Sequence, residues 1–249
     1  MSSALLIPSA WSRLRTLLLF LCMAAATPAL AELLEGVVEF QGAAPPATKL
    51  RRESDRFCAQ TTRFDQSVQV RGNRLKDVWV HVVKGAPDQP GSPDKTVAIK
   101  QAECMYEPHV TALQAGNRLT IENSDPVLHN VHAWAGGSTL FNRAMPGPGV
   151  IRFDSTTPQS TAKWSGLLRW KCDVHAWMTG YLGVSRNPYF AVSDADGAFR
   201  IENLPPGRYS LAAWHEKFGE KTVDLSIEPG QAAKIVIRFG QKLAQLSTH

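Results

Sequence analysis

Cys172, His175 and Met178 stand three residues apart in the stretch KCDVHAWMTGY (171–181). A thiol, an imidazole and a thioether at that interval can turn toward one point from a single tight loop. Dithiol redox exchange, zinc binding, covalent haem and copper ligation all use cysteine, and each needs different neighbours. The chain holds no C-x-x-C, which removes both the redox dithiol and the C-x-x-C-H haem attachment. A structural zinc site needs about four good ligands, usually in two close pairs. A blue copper site needs one Cys, two His and a weak axial Met, and this segment offers three of those four.

The remaining histidine has to come from elsewhere, and NSDPVLHNVHAW (123–134) offers two. His129 and His132 are three apart, so on an extended strand they point to opposite faces. His129 follows the Asp125-Pro126 turn at the start of a strand, where loop geometry lets a side chain reach inward. His132 lies deeper in the strand and is expected to face a sheet surface or a neighbouring tryptophan. The favoured set is therefore His129, Cys172, His175 and Met178, with a zinc variant using a different fourth ligand left open. Trp170, Trp177, Leu128 and Pro126 are candidates for an apolar surround, or for ordinary core packing. His81, His109 and His215 read as structural, and His215-Glu216 does not open an H-E-x-x-H motif because position 219 is Gly.

These residues need rigid elements to position them, and the elements are strands. RLTIEN (118–123) and KIVIRF (234–239) alternate apolar and polar residues, and SVQVRGNRLKDVWVHVV (67–83) reads as two strands around a Gly72-Asn73 turn. Prolines and glycines punctuate at short intervals, as in GAAPP, MPGPG and LPPG, which argues for β-sandwiches rather than a parallel α/β sheet. The chain divides into a leader (1–31), a β-rich segment (32–95), a segment with the chemistry-bearing residues (96–186), a compact strand series (187–240) and a tail (241–249).

The leader has a basic flank at Arg13 and Arg15, the apolar run TLLLFLCMAAA and a small-residue end at Ala29-Leu30-Ala31. That is the pattern of a secretory signal peptide cut after Ala31. Its apolar run is short for a membrane span, and no later stretch is apolar enough for one. Losing two arginines and no acid lowers the net charge of +5 by two. A balance that mild argues against a nucleic-acid or anionic-membrane partner. Cys22 leaves with the leader, so Cys58, Cys104 and Cys172 remain. An odd count in an exported chain gives one thiol a separate job. Pairing Cys58 with Cys104 leaves Cys172 free to bind a metal.

Two resemblances sharpen this reading. N-S-D-P-V-L-H-N-V-H, followed downstream by C-D-V-H-A-W-M, resembles the cupredoxins, and the close C-x-x-H-x-x-M spacing is similar to that of amicyanin. YEPHVTALQAGNRLTIENSD (106–125) also resembles the entry strands of that fold. The resemblance covers roughly 96–186. It implies one copper ion held by His129, Cys172, His175 and Met178, an N–H of Asn130 donating to the Cys172 sulfur, and Asn123 fixing the loops. Downstream, D-A-D-G-A-F-R-I-x-x-L-P-P-G-R-Y (194–209) resembles the carboxypeptidase regulatory-like, or prealbumin-like, sandwich. Asp194 and Asp196 there fit a hairpin turn better than a calcium loop, since the remaining ligands of such a loop are missing. EGVVEFQGAAPP (35–46) has the form of that sandwich's first strand, and DVWVHVV (77–83) resembles its second.

The expected fold is all-β: a cupredoxin Greek-key sandwich plus a prealbumin-like sandwich. Either the first is inserted into the second, or residues 32–95 extend the first. The whole chain resembles exported amicyanin-like or methylamine-utilisation-like proteins. The expected function is a periplasmic type 1 copper protein carrying single electrons between periplasmic redox proteins such as a cytochrome or a dehydrogenase. Copper storage or delivery is one alternative. A carbohydrate- or surface-binding sandwich with an incidental metal site is another. An enzyme is not expected, because no G-x-S-x-G or paired carboxylates stand out and the inferred ligand set leaves no open position.

Overall fold

The structure is a computed structural model that describes residues 32–154 and 160–240. The leader and the tail inferred from sequence lie outside these residues. Among the described residues no helix is long and apolar enough to cross a membrane.

Four strands come first: β1 (Glu32–Gln41), β2 (Val70–Arg71), β3 (Arg74–Leu75) and β4 (Trp79–Lys84). Among the described residues nine more follow: β5 (Thr96–Ala102), β6 (Met105–Glu107), β7 (Val110–Gln114), β8 (Arg118–Asn123), β9 (His129–Ala135), β10 (Ser138–Met145), β11 (Gly149–Phe153), β12 (Gly166–Lys171) and β13 (Thr179–Ser185). The last five are β14 (Phe190–Val192), β15 (Ala198–Leu204), β16 (Gly207–His215), β17 (Gly219–Ile227) and β18 (Ala233–Gly240).

The middle nine strands make one β-sandwich from the sheets β10-β9-β12-β13-β7 and β11-β8-β5-β6. Strand β8 shows why the alternating sequence folds this way: Leu119, Ile121 and Asn123 point inward while Arg118, Thr120 and Glu122 stay half exposed. Leu119 and Ile121 meet Val131 and Ala133 of β9, Leu168 and Trp170 of β12, and Leu182 and Val184 of β13 in one apolar cluster. Cys172 and Met178 belong to the same cluster. The loop that carries them joins β12 to β13, two antiparallel neighbours.

The outer strands make the second β-sandwich, from β15-β1-β3-β2 with β18 on the other edge of β1, and from β14-β4-β16-β17. Its first strand therefore pairs with strands from the far end of the chain: antiparallel with β15 and parallel with β18. Val38, Phe40, Val80, Val82, Ile201, Leu211, Ile237 and Phe239 share its core. Asp194 and Gly197 do form a turn, with Asp194 Oδ1 accepting the Asp196 and Ala198 N–H groups and Gly197 at φ +67°. Residues 67–83 are not two long strands about Gly72. They form a short β2–β3 hairpin, then a break where Asp77 adopts φ 63°, after which β4 joins the opposite sheet.

The strands within residues 32–95, β1–β4, thus all belong to the second sandwich. The connection from 42 to 69 runs to the Cys-His-Met end of the first. There Phe57 and Cys58 pack against its core. The sandwiches meet along β13. Gly183 lies under the Trp79 ring, with no room for a Cβ; Tyr181 meets Trp214 at 5.0 Å; and His109 Nε2 reaches Glu216 Oε1 at 2.5 Å.

Candidate metal centre

Asn123, at the end of β8, is almost fully buried and holds three loops together. Its side-chain NH2 donates to the carbonyls of Val127 (3.0 Å), Met145 (3.2 Å) and Gly147 (3.0 Å), and its carbonyl accepts the Asp125 N–H at 2.9 Å. That clamp delivers the chain into β9 with His129 as its first residue, completely buried. Across the sheet, the Cys172–Met178 loop is closed by two backbone bonds: Cys172 N–H to the Met178 carbonyl (3.0 Å) and Met178 N–H to the His175 carbonyl (2.9 Å).

The result is a convergence of donor atoms. His129 Nδ1 and His175 Nδ1 lie 3.0 Å apart. Cys172 Sγ is 4.0 Å from the first and 3.8 Å from the second. Ions that bind nitrogen at about 2.0–2.1 Å and sulfur at about 2.3 Å leave their donors at such separations. These residues therefore fit a metal ion as they stand. Met178, fully buried in the same core as Cys172, is placed by the loop's own hydrogen bonds.

The electrostatics suit a thiolate. Burial alone would push the Cys172 thiol up. The His129 imidazole and the N–H groups of Asn130, His175 and Val174 outweigh burial and hold it below the ordinary thiol value. The Asn130 side chain braces the same loop, its Oδ1 accepting the Asp173 N–H at 2.6 Å. His129 is also desolvated, but Asp125 and Cys172 raise it above its usual value; burial wins at His175 and lowers it, despite Asp55.

Two carboxylates not anticipated from the sequence complete the centre. Asp125 Oδ2 meets His129 Nε2 at 2.8 Å, and Asp55 Oδ2 meets His175 Nε2 at 3.3 Å. A carboxylate can only accept there, so each outer nitrogen carries a proton, and Nδ1 is the nitrogen of each ring that would be left to bind a metal. Asp125 does a second task, accepting the N–H groups of Glu103 (2.7 Å) and Cys104 (2.8 Å). Both of those residues sit at positive φ, 50° and 56°, in the tight β5–β6 turn. Asp125 stands in the quoted NSDP motif, four residues before His129, where its turn role hid its second one.

Cys58 and Cys104 form a disulfide, and Cys172 is the free, buried cysteine of the described residues. The bridge lies on the far side of His175, with Cys58 Sγ 3.6 Å from Nε2. His132 faces outward, as its position three residues after His129 requires, stacked on Trp134 at 3.7 Å and paired with Asp173 at 3.0 Å. Of the four candidate surround residues, Trp170 is buried and Trp177 half-buried, while Pro126 and Leu128 are exposed, the latter at 44%. The last two form an outer rim rather than a lining, because the Asn123 clamp turns the 124–128 loop outward.

Residues 179–240 match the family model of the carboxypeptidase regulatory-like domain. The match covers the last five strands, together with β13 of the first sandwich. Among solved structures, the chain is similar to a Cu(I) form of an amicyanin variant, at 21% identity and a TM-score of 0.31, over 37% of this chain and 84% of that one. It is also similar to a purple cupredoxin from Nitrosopumilus maritimus, at 22% identity and a TM-score of 0.30, over 37% of this chain and all of that one. No curated protein sequence matches the chain.

Proposed function

We propose that this chain is an exported type 1 copper protein that carries single electrons between periplasmic redox partners. The observation that carries the reading is the meeting of His129 Nδ1, His175 Nδ1 and Cys172 Sγ within 4.0 Å of one another, beside a buried methionine. One thiolate, two imidazoles and a weak thioether form a donor set that accepts both Cu(I) and Cu(II). Bound there, copper supplies the one-electron chemistry. The protein's part is to keep the donors still. Asp125 and Asp55 fix the two rings, the Asn130 N–H steadies the sulfur, and the buried Trp170 and Met178 help keep water out. A site that does not rearrange between oxidation states exchanges electrons quickly. Export is supported by the leader and by the disulfide, which persists in oxidising compartments.

The visible spectrum of purified, copper-loaded, oxidised protein tests this reading. An intense thiolate-to-copper absorption is expected, and Cys172→Ser is expected to abolish it while leaving the β-sheet circular dichroism intact. A colourless protein that holds zinc instead would overturn the proposal.

A further inference from the structure

His175 has two ring nitrogens, and only Nδ1 faces Cys172. Its Nε2 faces a second group of donors. Asp55, Cys58, Cys104 and His175 each place one ligand atom within 4.8 Å of all the others. Asp55 Oδ2 is 3.3 Å and Cys58 Sγ 3.6 Å from Nε2. Both cysteines are fully buried, whereas the Asp55 side chain is 25% exposed and opens the group to solvent.

We propose that these four residues form a second metal site, gated by thiol redox state, which takes a zinc(II) or copper(I) ion when the Cys58–Cys104 bond is reduced. Two thiolates, an imidazole and a carboxylate suit a four-coordinate borderline or soft ion. As a disulfide the sulfurs carry no thiolate charge, so the site is closed. Opening it takes two electrons and two protons from a dithiol reductant, which is itself converted to a disulfide. The entering ion then displaces the two thiol protons and the proton on His175 Nε2: with the first site empty that proton moves to Nδ1, and with it filled the proton leaves to solvent and the ring would bridge the two ions as an imidazolate. The two sites share only His175, through opposite ring nitrogens, so filling one does not take a donor atom from the other.

The donors are held by contacts that do not depend on the sulfur–sulfur bond. Asp55 Oδ1 accepts the N–H groups of Phe57 (2.8 Å) and Cys58 (3.0 Å), which leaves Oδ2 aimed at His175. Cys104 is held at its N–H by Asp125 and at its carbonyl by the Trp177 indole N–H, at 3.0 Å. Arg52 donates to the carbonyl of Glu103 at 2.5 Å. Breaking the bridge therefore frees two thiols inside a framework that other groups maintain. An ion carried by a thiol-rich donor would meet the Asp55 opening first, next to the imidazole that also faces Cys172.

The test uses the full chain without its leader, metal-free, with Cd(II) as the probe. Equilibrium dialysis and the ultraviolet thiolate-to-cadmium absorption are read before and after anaerobic reduction. With the disulfide intact one ion is expected, bound through Cys172; after reduction two are expected, the second adding absorption from two more thiolates. In Cys172→Ser the thiolate-bound ion should appear only after reduction. In Cys58→Ser/Cys104→Ser it should never appear beyond the first. Equal cadmium uptake before and after reduction overturns the proposal. So does a reduced chain that loses its β-sheet circular dichroism, since the donors are then not held together. A failure of the proposed function looks different: the oxidised wild type lacks its first ion, while reduced Cys172→Ser still gains one.

Discussion

Asp125 links two problems at the residue level. Left-handed backbone costs an ordinary residue about 1–2 kcal/mol, and Glu103 and Cys104 both adopt it. The carboxylate that accepts their N–H groups offsets that cost and at the same time orients His129. Asp125→Asn keeps the volume but loses the charge and part of the accepting capacity. Its metal affinity should fall about 10–100-fold, as for other residues that orient a ligand, measured by competition with a chelator. The metal-free variant should also lose about 1–3 kcal/mol in urea unfolding. Unchanged affinity would remove Asp125 from the centre. Cys172, His175 and His129 are legible in the sequence because short spacing and strand alternation limit where their side chains can go. Asp55 is not, because its contact with His175 spans 120 positions and nothing local marks it out among the acidic residues.

Among the elements, β13 works on both of its faces. Leu182 and Val184 enter the first core, while Tyr181 and Gly183 meet Trp214 and Trp79 of the second sandwich. Gly183→Ala would drive a methyl group into the Trp79 ring, so the ring must shift. The expected cost is about 1–3 kcal/mol, read as a lower urea midpoint. The Cys172–Met178 loop lies at the other end of β12, so the thiolate-to-metal absorption should remain. If stability is unchanged, the sandwiches are not packed at this point. The alternation in RLTIEN and KIVIRF and the Asp-Gly turn were readable because each follows from local geometry. The break after β3 was not, because Asp77 takes φ 63° through contacts with the Gln69 side chain and the Ser193 carbonyl far along the chain.

For the molecule as a whole, acid should weaken the fold through the half-buried His81 and the buried His215. Burial lowers His81 and His215 from 6.5 to about 4. His81 stacks flat on Trp79 at 3.7 Å, and His215 stacks on Phe218 at 4.6 Å. Between 6.5 and about 4 the unfolded chain binds protons that the folded chain refuses, so stability falls as pH drops through that window. Urea midpoints of the metal-free protein near neutral pH and near pH 5 should differ in that sense. His81→Phe, which keeps the stack, should shrink the difference; an identical drop would mean that His81 does not contribute. The disulfide acts at this scale too, since a bridge across 46 positions restricts the unfolded chain by about 4 kcal/mol on the entropy estimate. Two sandwiches were foreseeable from turn motifs, but the path of residues 42–69 to the metal end was not, because that connection lacks strand periodicity.

The pairing of β1 with β15 and β18 also sets an order of assembly. The nine strands of the sandwich that carries the candidate metal centre follow one another in sequence, so their pairings can form as soon as that segment is complete. Strand β1 is synthesised before them but meets β18, nearly two hundred positions later, a closure whose entropy must be met before any contact rewards it. The inner sandwich is thus free to form while the outer one waits for its last strand. When β18 arrives, it lies parallel to β1, Leu34 beside Ala233 and Gln41 beside Gly240. Because that pairing is parallel, the start of β1 and the end of β18 stand at opposite ends of the ladder. A circular permutant with new termini in the exposed 42–47 connection therefore needs a linker that runs back along the strand, at about 3.3 Å per residue, and in it β1 would follow β18, replacing a long-range pairing by a local one.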